Sequence, residues 1–163
     1  MHILIKNKSL IFNNYRIKCA IGKRGIGKKR KEGDLITPKG TFKTKFILFR
    51  KDRIKKIQTS LKKYEITKKM GWCDDSKSKE YNKLIKIPFK FNFERLFRKD
   101  NIYDIILVLN YNMNPIKKNR GSAIFIHISR KNYKSTKGCI AIKKVQLLRI
   151  LKDIRKNTKV KII

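Results

Sequence analysis

Two apolar runs, Ile105-Ile106-Leu107-Val108-Leu109 and Ala123-Ile124-Phe125-Ile126, constrain the fold of this chain more than any other feature. Their length and β-branched content suit strands buried on both faces. Strands of that kind are expected to be central and adjacent in a sheet. Shorter β-rich stretches surround them. Residues 3–5, 10–12 and 15–20 are separated by Asn7-Lys8-Ser9 and by Asn13-Asn14, and read as a meander whose Asn-Asn pair makes a tight turn, because Asn tolerates positive φ. Further strands are expected over 41–49 and 160–163. Helical spacing is read once, where Leu147, Leu148, Leu151 and Ile154 recur within 143–154, which predicts one amphipathic helix packed on the sheet. Residues 50–101, rich in Lys, Tyr and Asn and broken by Pro88, carry no assignable rhythm. With neither repeats nor a linker, residues 1–163 read as one mainly β domain.

Composition narrows the class. At 163 residues and 40% hydrophobic the chain can bury a core, which argues against disorder. Forty-five Lys and Arg against eleven Asp and Glu give a formal charge of +34, which attracts polyanions. The positive residues are nevertheless spread along the chain, with local clusters only at Lys28-Lys29-Arg30-Lys31 and Lys117-Lys118-Asn119-Arg120. Excess Lys accompanies excess Ile and Asn, residues that share A/T-rich codons, so the charge requires no selection for a partner. There is no zinc-finger spacing, stacked-aromatic RNP pattern or helix-turn-helix rhythm, and no dedicated nucleic-acid partner is expected. A module that holds wall polymer or nucleic acid through charge alone is the competing reading. No stretch approaches the roughly 20 apolar residues that span a bilayer. The opening Met1-His2-Ile3-Leu4-Ile5-Lys6 meets charge too soon for a signal-peptide core.

The three cysteines at 19, 73 and 139 do not complete a disulfide framework; a Cys19–Cys73 bridge and two small buried hydrophobes are both open. Cys139 has a more distinctive setting. The second apolar run leads to His127, a polar loop covers 129–138, and Gly138 precedes the thiol. A thiol attacks as thiolate and needs a base and a favourable local potential. His127 supplies the base if strand alternation places it on one face with Phe125 and Ala123. Backbone N–H groups at Gly138 and Cys139 are candidates for an oxyanion hole, and a helix starting near Lys143 would lower the thiol pKa through its dipole. Taken alone, these residues leave open a structural histidine, a core cysteine, or a zinc site with Cys73 that lacks a fourth ligand.

A wider set of motifs stands in order along the chain. These are Cys19-Ala20-Ile21-Gly22, Lys31-Glu32-Gly33-Asp34 with Thr37-Pro38-Lys39-Gly40-Thr41-Phe42, Gly71-Trp72-Cys73-Asp74-Asp75, Tyr81-Asn82, Tyr103-Asp104, Gly121-Ser122-Ala123-Ile124-Phe125, and Thr136-Lys137-Gly138-Cys139 after His127. Over nearly its whole length the sequence resembles the L,D-transpeptidase catalytic domain, the YkuD-type family, in its small single-domain branch. The resemblance implies a β-sandwich of mixed sheets with one amphipathic helix in the C-terminal half. It implies an enzyme that acts on peptidoglycan stem peptides through a thioester, as transpeptidase or carboxypeptidase, without cofactor or metal and as a monomer. Cys139 is then the nucleophile, His127 the general base and acid, oriented by a backbone carbonyl, and Gly138 part of the oxyanion hole. Many members carry His before the Gly and Arg two residues after the Cys, where this chain has Lys137 and Ala141. The carboxylate-binding role of that Arg passes to Arg130, Arg120 or Lys137, with Thr136 beside them. Glu32, Asp34 and Thr37 either line the site or shape turns. The implied location is the periplasm or cell envelope, while the absence of a visible signal segment leaves a cytoplasmic one open.

Overall fold

The computed structural model describes residues 2–163 and is mainly β, with mixed sheets and one α-helix. Three short strands open the chain, β1 (His2–Lys6), β2 (Ser9–Phe12) and β3 (Tyr15–Lys18), as an antiparallel meander. The turns carry positive φ at Asn7, Lys8 and Asn13, which Asn accommodates at low cost. The third strand stops at Lys18, two residues short of the expected end. Strands β4 (Ile26–Gly27) and β5 (Thr37–Pro38) pair with each other and pin the long loop after the meander.

The ten-residue β6 (Gly40–Phe49) organises the main sheet, because its two halves pair differently. Gly40–Lys43 run antiparallel to β14 (Lys159–Ile162), and Ile47–Phe49 run parallel to β7 (Lys63–Glu65). On its other side β6 pairs with β11 (Ile105–Leu109). Next come β12 (Phe125–Ile128) and the parallel β13 (Ile140–Ile142). The sheet order is β13-β12-β11-β6-β14-β1-β2-β3.

The two apolar runs are adjacent antiparallel strands buried on both faces, as their composition requires. Ile105, Leu107, Ile126, Ile128 and Ile140 face one core, shared with the meander and with α1 (Lys144–Leu151). Ile106, Val108 and Phe125 face a second core with Trp72 and Leu48. That second core is covered by a layer absent from the sequence reading. Residues 50–101 contain a small antiparallel sheet of β8 (Met70–Cys73), β9 (Leu84–Lys86) and β10 (Phe93–Arg95), in the order β10-β8-β9. Trp72 meets Phe125 edge to face at 5.1 Å and ties this layer to the main sheet.

Three expectations shift. The strand expected from Ala123 starts at Phe125, because Ala123 takes φ 51°, outside strand geometry. The helix ends at Leu151, and Ile154 reaches the core from the turn beyond it. All three cysteines are free, so no Cys19–Cys73 bridge forms; Cys19 and Cys73 are buried in the core. Finally, Ala20 exchanges backbone hydrogen bonds with Ala141 at 2.8 and 2.9 Å, joining the two ends of the sheet order beside β13.

Candidate active site

Parallel pairing of β12 with β13 sets His127 opposite Ala141 and Ile126 opposite Ile140. Side chains alternate along each strand, so the isoleucines point into the helix-side core while His127, Phe125, Ala141 and Cys139 share the opposite face. Cys139, immediately before β13, thus lies one register step from His127 on the same side. Both line a cavity of about 620 Å³ between the main sheet, the small sheet and the loops that lead to β5 and β13.

The imidazole is 5% exposed and its Nδ1 lies 3.0 Å from the carbonyl oxygen of Ile128. A carbonyl only accepts, so Nδ1 carries the proton and Nε2 has the free lone pair. The Tyr103 ring stands edge-on to it at 5.2 Å, and the Tyr103 hydroxyl donates to Glu94 at 2.7 Å. Burial pushes the His127 pKa down to about 4, so the histidine is a neutral base in the resting site. Burial pushes the Cys139 thiol up to about 12, with the Glu94 charge acting in the same direction. The thiol donates to the Ala123 carbonyl at 3.0 Å and lies 3.4 Å from the Phe125 N–H. It makes no hydrogen bond to His127 in this structure. The expected lowering by the helix dipole is not realised. The helix packs on the opposite face of the sheet, and burial dominates at the thiol.

Several ordered motifs converge on holding the thiol in place. Asn82 Oδ1 accepts from Trp72 Nε1 and from the Ala123 N–H, both at 3.0 Å, and its amide donates to the carbonyls of Tyr111 and Asn112. That junction draws Ala123 into positive φ and aims its carbonyl at Cys139. Tyr81 donates to Glu32 at 2.5 Å and accepts from the Gly121 N–H, which fixes Glu32 at the cavity wall.

The loop before Cys139 is equally constrained. Thr136 Oγ1 donates to the Cys139 carbonyl at 2.6 Å and accepts from the Gly138 N–H at 3.1 Å. Gly138 has φ +143°, and a Cβ there would come within 2.9 Å of the Ile36 carbonyl oxygen, so only glycine fits. Thr37 Oγ1 donates to the Gly138 carbonyl at 2.8 Å while accepting from the Gly22 N–H. Because the Gly138 N–H is committed to Thr136, the oxyanion donor expected there narrows to the Cys139 N–H, which has no hydrogen-bond partner among the described residues.

Arg130, Thr136 and Lys137 line the cavity, and Glu32 joins them. Arg120 does not: it is exposed, reaching the Arg30 carbonyl at 3.4 Å. Asp34 shapes the loop, accepting from Lys29 and from the N–H groups of Arg30, Lys31 and Ile36. Burial would raise its pKa, but those donors, Lys29 foremost, hold it near 2. The position two residues after the thiol is Ala141, 1% exposed and clamped by Ala20, and it brings no cation. Among the described residues no three His, Cys, Asp or Glu side chains are placed to hold a metal ion, so His127, Cys139 and Cys73 do not form a ligand set.

The sequence reading singled out neither Glu94 nor Lys29. Glu94 and Asp74 line the cavity, and burial raises the pKa of both. Lys29 sits in an otherwise exposed basic run, which hides it from any composition argument; its side chain is 3% exposed.

A family model described as the L,D-transpeptidase catalytic domain matches residues 2–162. No curated protein matches the chain.

Proposed function

The chain belongs to the YkuD family of L,D-transpeptidase catalytic domains, and from that premise we propose that it is a cysteine acyltransferase acting on peptidoglycan stem peptides in cell-wall cross-linking or remodelling. The observation that carries this reading is the placement of Cys139 and His127 on one sheet face in one cavity, with Nδ1 bonded to the Ile128 carbonyl and Nε2 left basic. Cys139 Sγ attacks the carbonyl at the L-centre of the third stem residue while His127 Nε2 takes the thiol proton. The Cys139 N–H donates to the oxyanion. Collapse breaks the C–N bond, the imidazolium protonates the departing D-Ala amine, and a thioester remains. An acceptor amine, deprotonated by His127, attacks the thioester and restores the thiol; water as acceptor gives L,D-carboxypeptidation.

Thiol and imidazole are both neutral at rest, with pKa values of about 12 and about 4, so proton transfer is strongly uphill in the empty cavity. Bound substrate displaces water and couples the transfer to bond formation, so no free thiolate accumulates. The substrate's natural location is the cell envelope. Of the cations that line the cavity, Arg130 and Lys137 are offered to a substrate carboxylate in place of an arginine at position 141.

Incubation of the protein with a purified tetrapeptide stem, followed by intact-mass analysis, tests the reading. The expected product is a covalent adduct equal to the stem less D-Ala, absent in Cys139→Ala. An adduct on Cys139→Ala, or none on the parent protein, would overturn it.

A further inference from the structure

The geometry points to Lys29 as the second oxyanion donor of the Cys139 site, a buried cation that supplies what the Gly138 amide does not. The inference rests on Cys139 being the acylated nucleophile.

A tetrahedral oxyanion next to Cys139 calls for converging donors. The backbone offers one, the Cys139 N–H, because Thr136 Oγ1 holds the Gly138 N–H at 3.1 Å. Lys29 enters the same cavity from the loop between β4 and β5. Its ammonium contacts Asp34 Oδ1 at 2.6 Å and the Ile36 carbonyl at 3.3 Å. An ammonium has three N–H bonds, so one remains uncommitted among the described residues. Its Nζ lies 3.6 Å from the point above Gly138 where a Cβ would stand. The missing side chain of Gly138 therefore opens the space that separates this cation from the nucleophile's turn.

The ion pair fixes the lysine for this role. Both side chains are 3% exposed, and Asp34 is locked by three backbone N–H groups. A buried pair pre-orients a charge without the reorganisation that an exposed lysine would need. The position where many family members carry arginine is Ala141 here, so no cation reaches the site from β13.

The test uses p-nitrophenyl acetate, an activated ester that needs only a nucleophile and an oxyanion site. Cys139 Sγ bonds to the acetyl carbon, the ester C–O bond breaks, nitrophenolate leaves, and the thiol proton passes to His127. Lys29→Met combined with Asp34→Asn removes the cation without stranding a buried carboxylate. The acylation rate constant is expected to fall on the order of 10²-fold with KM little changed, the usual effect of losing one oxyanion donor. Asp34→Asn alone keeps the ammonium but loosens its anchor, and is expected to lose clearly less of the rate than the double variant. Equal loss in both variants would mean that the pair serves only the loop's structure, and an undiminished rate in the double variant would also overturn the assignment. If the double variant does not fold, Lys29→Gln with Asp34→Asn makes the same comparison. The ester does not depend on the stem peptide, so failure on peptidoglycan and failure of the lysine's role are read separately.

Discussion

Cys139, immediately before β13, and His127, on the parallel β12, lie on one face of the sheet one register step apart, yet each is hydrogen-bonded to a different backbone carbonyl, Ala123 for the thiol and Ile128 for the imidazole. The resting site holds a neutral thiol and a neutral base, positioned separately, rather than a preformed ion pair.

Low intrinsic reactivity of the thiol follows. With its pKa at about 12, Cys139 has about 10³-fold less thiolate at pH 7 than an ordinary cysteine thiol. Iodoacetamide alkylation at pH 7, followed by peptide mass mapping, should be slower at Cys139 than at a free cysteine by at least an order of magnitude. Alkylation as fast as free cysteine would refute the neutral-pair description.

Burial of neutral His127 makes stability pH-dependent. Its folded pKa of about 4 lies below the unfolded value near 6.5, so the unfolded chain binds the extra proton between them. The histidine exacts no penalty above pH 6.5, and stability falls as the pH drops from there to about 4, by on the order of 3 kcal/mol. Urea unfolding across that window should show the parent protein losing more stability than His127→Gln as the pH falls, by about that amount.

Asn82 is the junction through which the small sheet holds the thiol's acceptor. Asn82→Leu leaves the Trp72 and Ala123 N–H groups and two loop carbonyls without their partner, at a cost of about 2–4 kcal/mol. Thermal unfolding should show the loss. Acyl transfer should fall further than stability predicts, because Ala123 no longer holds its φ of 51°.

Gly138→Ala should cripple the enzyme without dissolving the core. The new Cβ would meet the Ile36 carbonyl at 2.9 Å at a φ reserved for glycine. A stability loss of about 1–3 kcal/mol is expected, with acylation reduced at least tenfold because the turn carries Cys139. Calorimetry and adduct formation measure the two separately.

The sequence disclosed those elements whose burial is continuous. Ile105–Leu109 and the run ending at Ile128 are apolar on both faces, and the single helix repeats its leucines at helical spacing. The small sheet stayed hidden because its strands are three or four residues long and stand on tertiary contacts such as Trp72 against Phe125. His127, Cys139 and the glycine between them were legible from order and spacing. Lys29 was not, since a buried lysine in a run of exposed ones looks like its neighbours; only the fold pairs it with Asp34.

The bridge between Ala20 and Ala141 has a consequence for how a substrate arrives. A three-residue strand at the limit of a sheet ordinarily offers unpaired N–H and C=O groups, which an extended peptide can join as an additional strand. Here Ala20 already occupies both groups of Ala141, the strand position that follows Cys139 most closely on the cavity face. A peptide therefore cannot dock by extending the sheet alongside β13. It must come down onto the face, between the small sheet and the loops, so recognition falls to side chains that line the cavity rather than to a main-chain ladder.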